Sequence, residues 1–372
     1  MNEANPAQLA STVAWGAFAL AFVFGAVANK TNFCTMGAVS DWVNMGDTNR
    51  MRMWLLAIGV AIVSANALHL AGVVDLAKSI YPGPNFTWLS YLVGGFLFGV
   101  GMTLGSGCGS KTLVRVGAGN LKSLVVFIVL GITAYMTLRG ILGAFRVGVL
   151  EQASFALGGG QDLPSLAARA VGGEKRTWIA ALALLAGGGL IAFAYSARDF
   201  RSSFDCTLGG VVTGLVVVGG WYVSGRIGYL AEDPQTLQEA FVGTNTGRME
   251  AFSFVAPLAF SLEYLMLWTD KSKVITYGIA SAAGVIAGSA AWALATRSFR
   301  WEGFRDAEDT ANHLVGGALM GFGGITALGC TVGQGISGFS TLALGSILTF
   351  AAIVAGAAAT MKWQYRRMLK EP

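Results

Sequence analysis

The chain has 372 residues, of which 54% are hydrophobic and only 12% are charged. Soluble domains carry about 25% charged residues, so this composition excludes an ordinary soluble protein whose single core would have to hide all the apolar surface. We interpret the net charge of +5 as loop charge that sets membrane topology, because the sequence shows no nucleic-acid-binding motif.

Apolar runs long enough to cross about 30 Å of hydrocarbon recur along the whole chain. They predict α-helices, because they are too long and too uniformly apolar for the strands of a membrane barrel. Several runs are short or glycine-rich, which favours segments that enter the membrane and turn back. The sequence therefore predicts an all-α polytopic membrane protein with about nine crossings plus re-entrant half-helices. The candidate spans lie near residues 12–28, 52–73, 88–106, 121–141, 177–195, 206–224, 252–268, 274–296, 313–329 and 341–361.

The two ends of the chain predict a topology. The N-terminal segment carries Glu3 and lacks the basic region of a cleavable signal peptide, so we expect the first apolar run to remain as a span. Lys362, Arg366, Arg367 and Lys370 follow the last span, and the positive-inside rule then predicts a cytoplasmic C-terminus. We expect a multi-pass protein of the bacterial inner membrane.

Two short motifs occur twice. The sequence GGFLFGVG at residues 94–101 recurs as GGALMGFG at 316–323, and in each copy a cysteine lies 14 residues after the first glycine. The sequence CTMGAV, which begins at Cys34, recurs as CTLGGV, which begins at Cys206. All four cysteines of the chain therefore fall in repeated motifs, and we interpret them as equivalent positions of two halves.

Two halves with glycine-interrupted spans in matching positions are typical of transporters, whose binding site lies where the halves meet. The motifs predict an N-terminal membrane repeat over residues 1–150, a linker over 151–176 and a C-terminal membrane repeat over 177–372. They do not show whether the halves are parallel or inverted.

The cysteines lie in segments that resist regular helix. Gly105–Ser110 contains three glycines and two serines around Cys108, and Cys330 precedes another glycine-rich run. A broken helix at membrane depth must line a cavity or be buried in protein, and the helix that follows a break offers N–H groups to an anion. A thiol adds a soft, weak donor that suits a sulfur-bearing anion and releases it again. Several such sites in series favour transport.

We therefore predict a pathway that binds substrate through the cysteines and their neighbours, with two cations one helical turn apart at its entrance. The pathway residues are Cys34, Cys108, Cys330, Cys206, Gly107, Gly109, Thr331 and Gln334, and the entrance cations are Lys111 and Arg115. The same residues allow simpler interpretations: small buried cysteines, glycines that only pack helices together, or a disulfide. A metal site is disfavoured because no C-x-x-C pair exists, and no cofactor is expected.

Three segments resemble the YeeE/YedE family of membrane proteins, several of which take up thiosulfate. They are Asn32–Gly37 (NFCTMG), Gly105–Gly109 (GSGCG) and Leu328–Gly335 (LGCTVGQG). The resemblance implies two inverted helical halves around a narrow path lined by Cys34, Cys108 and Cys330. It also implies thiosulfate as substrate and a small cytoplasmic sulfur-carrier protein as partner, beside the membrane lipid.

A second hypothesis is a membrane-embedded thiol enzyme that transfers sulfur or electrons. A catalytic thiol needs a base or a cation nearby, and the chain has only two histidines, His69 and His313. His313 precedes Cys330 by about 25 Å if the helix is continuous, which favours a transporter over an enzyme. A carrier for a selenium compound would share the architecture.

Overall fold

The structure is a computed structural model that describes residues 6–234 and 236–369. Residues 1–5 of the predicted uncleaved N-terminus, and Lys370 of the predicted basic tail, lie outside the described residues. The all-α prediction is confirmed, since the described strands form only two short antiparallel pairs. These are β1 (Asn85–Phe86) with β2 (Phe155–Ala156), and β3 (Tyr229–Leu230) with β4 (Ala240–Phe241).

Helices make up most of the described chain. They are α1 (Pro6–Lys30), α2 (Thr35–Ser40), α3 (Asn49–Leu70), α4 (Trp88–Leu104), α5 (Gly109–Gly117), α6 (Leu121–Arg139), α7 (Ile141–Phe145), α8 (Leu163–Val171), α9 (Lys175–Leu182), α10 (Gly188–Ser196), α11 (Arg198–Ser202), α12 (Phe204–Tyr222), α13 (Ala256–Met266), α14 (Tyr277–Ala295), α15 (Ala307–Thr326) and α16 (Leu344–Met368). A further short helix covers residues 331–340, with π-helical turns at Gly333–Gly338, and is called the 331–340 helix. Other π-helical turns extend α2 (Asp41–Met45), α7 (Arg146–Leu150) and α12 (Val223–Ile227), and join α9 to α10 (Ala183–Gly187).

Eight helical segments of the described chain are long and apolar enough to cross a membrane. They lie at Pro6–Met45, Asn49–Leu70, Trp88–Gly117, Leu121–Arg139, Lys175–Ser196, Phe204–Ile227, Tyr277–Ala295 and Leu344–Met368. Of the ten predicted spans, the one near 252–268 is the 11-residue helix α13, which is too short to cross. The span near 313–329 is α15, which has the length for a crossing but begins with polar turns that contain Asp309 and His313.

Helices α4 and α15, which carry the repeated GG…G motif, pack against each other in opposite directions. A Cβ atom on Gly94 would lie 2.8 Å from the carbonyl oxygen of Gly323, and one on Gly316 would lie 2.7 Å from that of Gly101. The first glycine of each motif thus meets the last glycine of the other, which is a self-complementary contact about a two-fold axis. Two equivalent helices that run antiparallel have the geometry of an inverted repeat.

The other helix contacts follow the same axis. α1 packs along α14 as α12 packs along α3, and α4 packs along α16 as α15 packs along α6. Half-helix α2 contacts α3 and α16, and α13 contacts the matching helices α14 and α6. Hence α1 to α6 correspond to α12, α13, α14, α15, the 331–340 helix and α16. In this pattern the second set of matching helices begins with α12. The division of the chain into two membrane repeats with a linker over residues 151–176 stays a prediction.

The segment between the two sets contacts both of them: its helices α9 and α10 pack on α3, and its residues 161–163 reach the turn before α16. The amide of Leu163 donates to the carbonyl of Leu342, and the side chain of Gln161 donates to the Tyr91 hydroxyl and accepts from the Gly345 amide. This segment therefore holds the turn that joins the 331–340 helix to α16.

Candidate functional site

The chain breaks in the same way before Cys34, Cys108 and Cys330. Two residues before each cysteine, the backbone is left-handed, with φ of 52° at Asn32, 57° at Ser106 and 58° at Leu328. The next amide then reaches the carbonyl five residues back: Phe33 to Ala28 at 3.1 Å, Gly107 to Met102 at 2.8 Å, and Gly329 to Gly324 at 2.7 Å. This is the Schellman pattern, which closes the carbonyl end of a helix and turns the chain sharply.

Each cysteine then begins a short helix. Cys34 and Cys108 have extended backbones and cap α2 and α5, and Cys330 directly precedes the 331–340 helix. The sulfur of Cys34 accepts from the Gly37 amide at 3.4 Å, and that of Cys330 accepts from the Gly333 amide at 3.4 Å. These thiols are therefore placed by backbone geometry that recurs three times.

All four cysteines are free thiols, and three of them are buried. Cys108 and Cys330 have no exposed surface and Cys34 is 5% exposed. The sulfur of Cys108 lies 3.3 Å from the Ser110 hydroxyl. Since an S–H group is a weak donor and a weak acceptor, such thiols bind soft partners loosely.

Phe254 links the starts of α5 and the 331–340 helix. Its amide donates to the Cys330 sulfur at 3.2 Å, and its carbonyl oxygen lies so close to α5 that a Cβ atom on Gly109 would be only 2.5 Å away. Gly109 is thus required for this approach. Cys108 is close enough to both Cys34 and Cys330 for electrostatic interaction with each.

The described residues contain no group of three or more His, Cys, Asp or Glu side chains that could hold a metal ion. The three buried cysteines therefore do not share one coordination sphere.

Stacked aromatic rings lie beside Cys34 and Cys330. Phe33 stacks on Trp54 with ring centroids 4.5 Å apart, Trp54 on Phe350 at 6.0 Å, and Phe24 on Phe254 at 5.7 Å. All five side chains are buried. The rings form an apolar wall that joins α1 and α3 to α16 and to the segment before α13.

Lys111 lies in the first turn of α5 and Arg115 in its last turn, and both are half-buried. The ammonium group of Lys111 donates to the Asn32 side-chain oxygen at 3.3 Å, and the Arg115 guanidinium donates to the Ser106 carbonyl at 2.9 Å. Each therefore connects to a left-handed residue of a break. Lys111 interacts electrostatically with both Cys34 and Cys108, which gives those two thiols a positive neighbour.

Sequence reasoning missed Arg50. Its guanidinium binds Asp41 through two hydrogen bonds, and it interacts electrostatically with Cys34. Asp41 is buried, at 4% exposed. A buried carboxylate needs a cationic partner. The position of Asp41 after an apolar run was therefore a signal in the sequence that a basic residue such as Arg50 lies nearby.

Two predicted site residues have structural partners. The Gln334 amide donates to the Ala327 carbonyl and accepts from the Ser346 hydroxyl at 2.6 Å, so both ends hold the break before Cys330 in place. A Cβ atom on Gly107 would lie 3.2 Å from the Lys111 side chain. The Thr331 hydroxyl, in contrast, is buried and has no hydrogen-bond partner among the described residues.

Cys206 differs from the other three cysteines. It is half-buried and is the third residue of α12, a helix that corresponds to α1. The interpretation of Cys34 and Cys206 as equivalent is therefore wrong: α2 corresponds to α13, and the residue that caps α13 is Val255. Gly209, one turn beyond Cys206, packs against Thr31, so Cys206 lies on the Cys34 side of the protein.

A cavity of about 160 Å³ lies beside Cys330. Gly329, Ser253 and the half-buried Glu250 line it, with Tyr81 and Arg146 on its wall. Burial raises the pKa of the Glu250 carboxyl, and hydrogen bonds from Thr246 and Asn245 oppose that rise. The cavity therefore reaches Gly329, the residue that precedes Cys330.

Comparison with known proteins identifies the class. Residues 30–359 match the profile of a family described as "Sulphur transport". A protein named thiosulfate transporter TsuA from Escherichia coli is 27% identical over 333 residues, which cover 84% of each chain. A protein of the same name from Spirochaeta thermophila is 25% identical over 361 residues, which cover 94% of this chain and 98% of the relative.

Proposed function

Because this chain belongs to the sulphur-transport family of multi-pass membrane proteins, we propose that it is an inner-membrane transporter that takes up thiosulfate. Both relatives named above are thiosulfate transporters, and they align over most of the chain. The names of the relatives favour transport over the alternative thiol enzyme.

The observation that carries the proposal is the threefold recurrence of one local structure. Each time, a helix ends in a left-handed residue and a buried free cysteine begins the next short helix. A general packing role for cysteine does not require a thiol at the same position of three separate breaks. Binding of a soft anion at three successive points does.

The path would run past the three thiols. The anion would approach from the side of Lys111 and Arg115, pass Cys34, Cys108 and Cys330 in turn, and reach the cavity beside Gly329. S–H groups would contact the terminal sulfur and the oxygens of thiosulfate without the strong hold of a full positive charge. Weak sites in series allow an ion both to enter and to leave.

The orientation and the partner stay predictions. Arg366 and Arg367 lie in the last turn of α16, where the positive-inside rule places them in the cytoplasm. We predict a small sulfur-carrier protein as a partner on that face.

Growth of a bacterium that lacks sulfate uptake, with thiosulfate as its sole sulfur source, tests the proposal. We expect the chain to restore growth, and Cys108→Ala or Cys330→Ala at matched membrane abundance to abolish it. Growth with the parent and with both variants would support thiosulfate transport and refute the path lined by thiols. Failure of the folded parent chain to restore growth, with and without a sulfur-carrier protein, would refute thiosulfate uptake.

A further inference from the structure

We infer that the indole N–H of Trp54 and the hydroxyl of Thr35 form a subsite that binds the oxygen atoms of the passing anion next to Cys34. The inference rests on the proposed function and deepens it, because it assigns the oxygen end of the substrate to residues other than thiols.

Trp54 is a buried donor without an acceptor. Its side chain is 1% exposed, and its indole nitrogen has no hydrogen-bond partner among the described residues. The ring is stacked between Phe33 and Phe350, so it cannot turn to reach water. An unpaired buried donor costs about 1–3 kcal/mol, and a ligand that accepts from it removes this cost. Trp221, in contrast, has the hydrogen bond that a buried indole usually makes, since its N–H donates to the Ser340 hydroxyl at 2.9 Å.

Thr35 places a second such group at the same point. It directly follows Cys34, is 1% exposed, and its hydroxyl has no partner in the described part of the protein. Helix hydroxyls usually donate to a carbonyl four residues back, as Thr31 does to Val27 at 2.8 Å. Thr35 begins a helix and follows a break, so this acceptor is not in place.

The two groups belong to one location. Phe33, the residue before Cys34, is the ring on which Trp54 stacks, at 4.5 Å between centroids. Helix α2 packs on α3, which carries Trp54. The Thr35 hydroxyl and the Trp54 indole therefore belong to adjoining elements beside Cys34, which sets two hard donors next to one soft donor.

This combination matches an anion with two unlike ends. A terminal sulfur is soft and takes weak S–H contacts, whereas sulfonate-type oxygens accept best from N–H and O–H groups. A site with both kinds of donor would orient thiosulfate and would bind hydrosulfide, which has no oxygen, less well. The subsite would thus select for a sulfur oxyanion within the path.

Uptake of radiolabelled thiosulfate into proteoliposomes tests the subsite. Trp54→Phe keeps the stacking and removes only the N–H, and Thr35→Val keeps the shape and removes only the hydroxyl. We expect each change to raise the half-saturation concentration about tenfold, because a hydrogen bond to a charged group is lost. Thr35→Ser restores the hydroxyl and should restore the parent value. Thr213→Val removes another buried, unpartnered hydroxyl, on α12, and should change nothing.

The outcomes separate the two claims. Uptake by the parent with half-saturation unchanged in Trp54→Phe and Thr35→Val would overturn the subsite and leave the transporter. No uptake by the parent would overturn the proposed function and the subsite together. Should Trp54→Phe fail to fold, the comparison of Thr35→Val with Thr35→Ser decides the matter, because equal uptake by the two would contradict a role for the hydroxyl.

Discussion

Replacement of Gly109 by alanine tests whether the close approach of α5 to Phe254 sets the geometry of the path. A Cβ atom at this position would lie 2.5 Å from the Phe254 carbonyl oxygen, well inside the 3.0 Å below which real Cβ atoms essentially never come. The two segments would have to separate by roughly 0.5–1 Å, and overpacking of this kind costs about 1–3 kcal/mol. The Phe254 amide is the donor to Cys330, so the Cys330 contact of 3.2 Å would lengthen as well.

We expect Gly109→Ala to lower both the melting temperature in detergent and the rate of thiosulfate uptake per folded protein. Gly188→Ala is the matched control, because a Cβ atom there, on α10, meets no atom within 4 Å. It should retain uptake and gain up to about 1 kcal/mol from helix propensity. Unchanged stability and unchanged uptake in Gly109→Ala would refute the tight contact.

Three further changes test other parts of the structure. Lys122→Met removes the partner of Asp309, 2.8 Å away and mostly shielded from water, and should lower the free energy of unfolding by about 1–3 kcal/mol in chemical denaturation; no loss would contradict the ion pair. Asn66→Leu leaves the Ser340 carbonyl, its acceptor at 2.9 Å, unpaired at the end of the 331–340 helix, and should cost a similar amount by the same measurement. Cys206 should react with a maleimide faster than the three buried cysteines, by mass spectrometry of the folded protein; earlier labelling of a buried one would contradict the burial.

The hydropathy of the sequence predicted most of the fold because lipid leaves few alternatives. An apolar run of sufficient length must be a helix, and the structure has helices at the runs near 12–28, 52–73 and 206–224. Helix α15 shows where this reasoning weakens. Its first turns are polar, and its place beside α4 depends on facing glycines rather than on hydropathy.

The helix breaks at the cysteines were predicted from the sequence, but their geometry was not. Glycine content located the breaks, yet the left-handed residues are Asn32, Ser106 and Leu328, since the hydrogen bonds of the Schellman turn hold them there. The six-residue similarity between the segments at Cys34 and Cys206 suggested an equivalence that the helix packing contradicts. A similarity over six residues can arise from similar composition alone, whereas two segments are equivalent in a fold only if the helices that carry them pack in the same way.

Sequence reasoning missed Arg50 and Trp54 for a related reason. Both lie on α3, outside every repeated motif, and are connected to Cys34 only through tertiary contacts with Asp41 and Phe33. The hydrophobic pattern of the sequence does not distinguish Trp54 from the other apolar residues of its span. Its unpaired indole nitrogen is visible only once its neighbours are known.

The central claim is that Cys34, Cys108 and Cys330 line one path for thiosulfate. The most direct measurement is uptake of radiolabelled thiosulfate by proteoliposomes that contain the parent protein, each cysteine-to-alanine variant, or Cys206→Ala, at equal amounts of folded protein. The account predicts that the parent transports, that each of the three variants at a helix break loses most of its uptake, and that Cys206→Ala retains it. Full uptake by any one of the three would contradict a single path that passes all of these thiols.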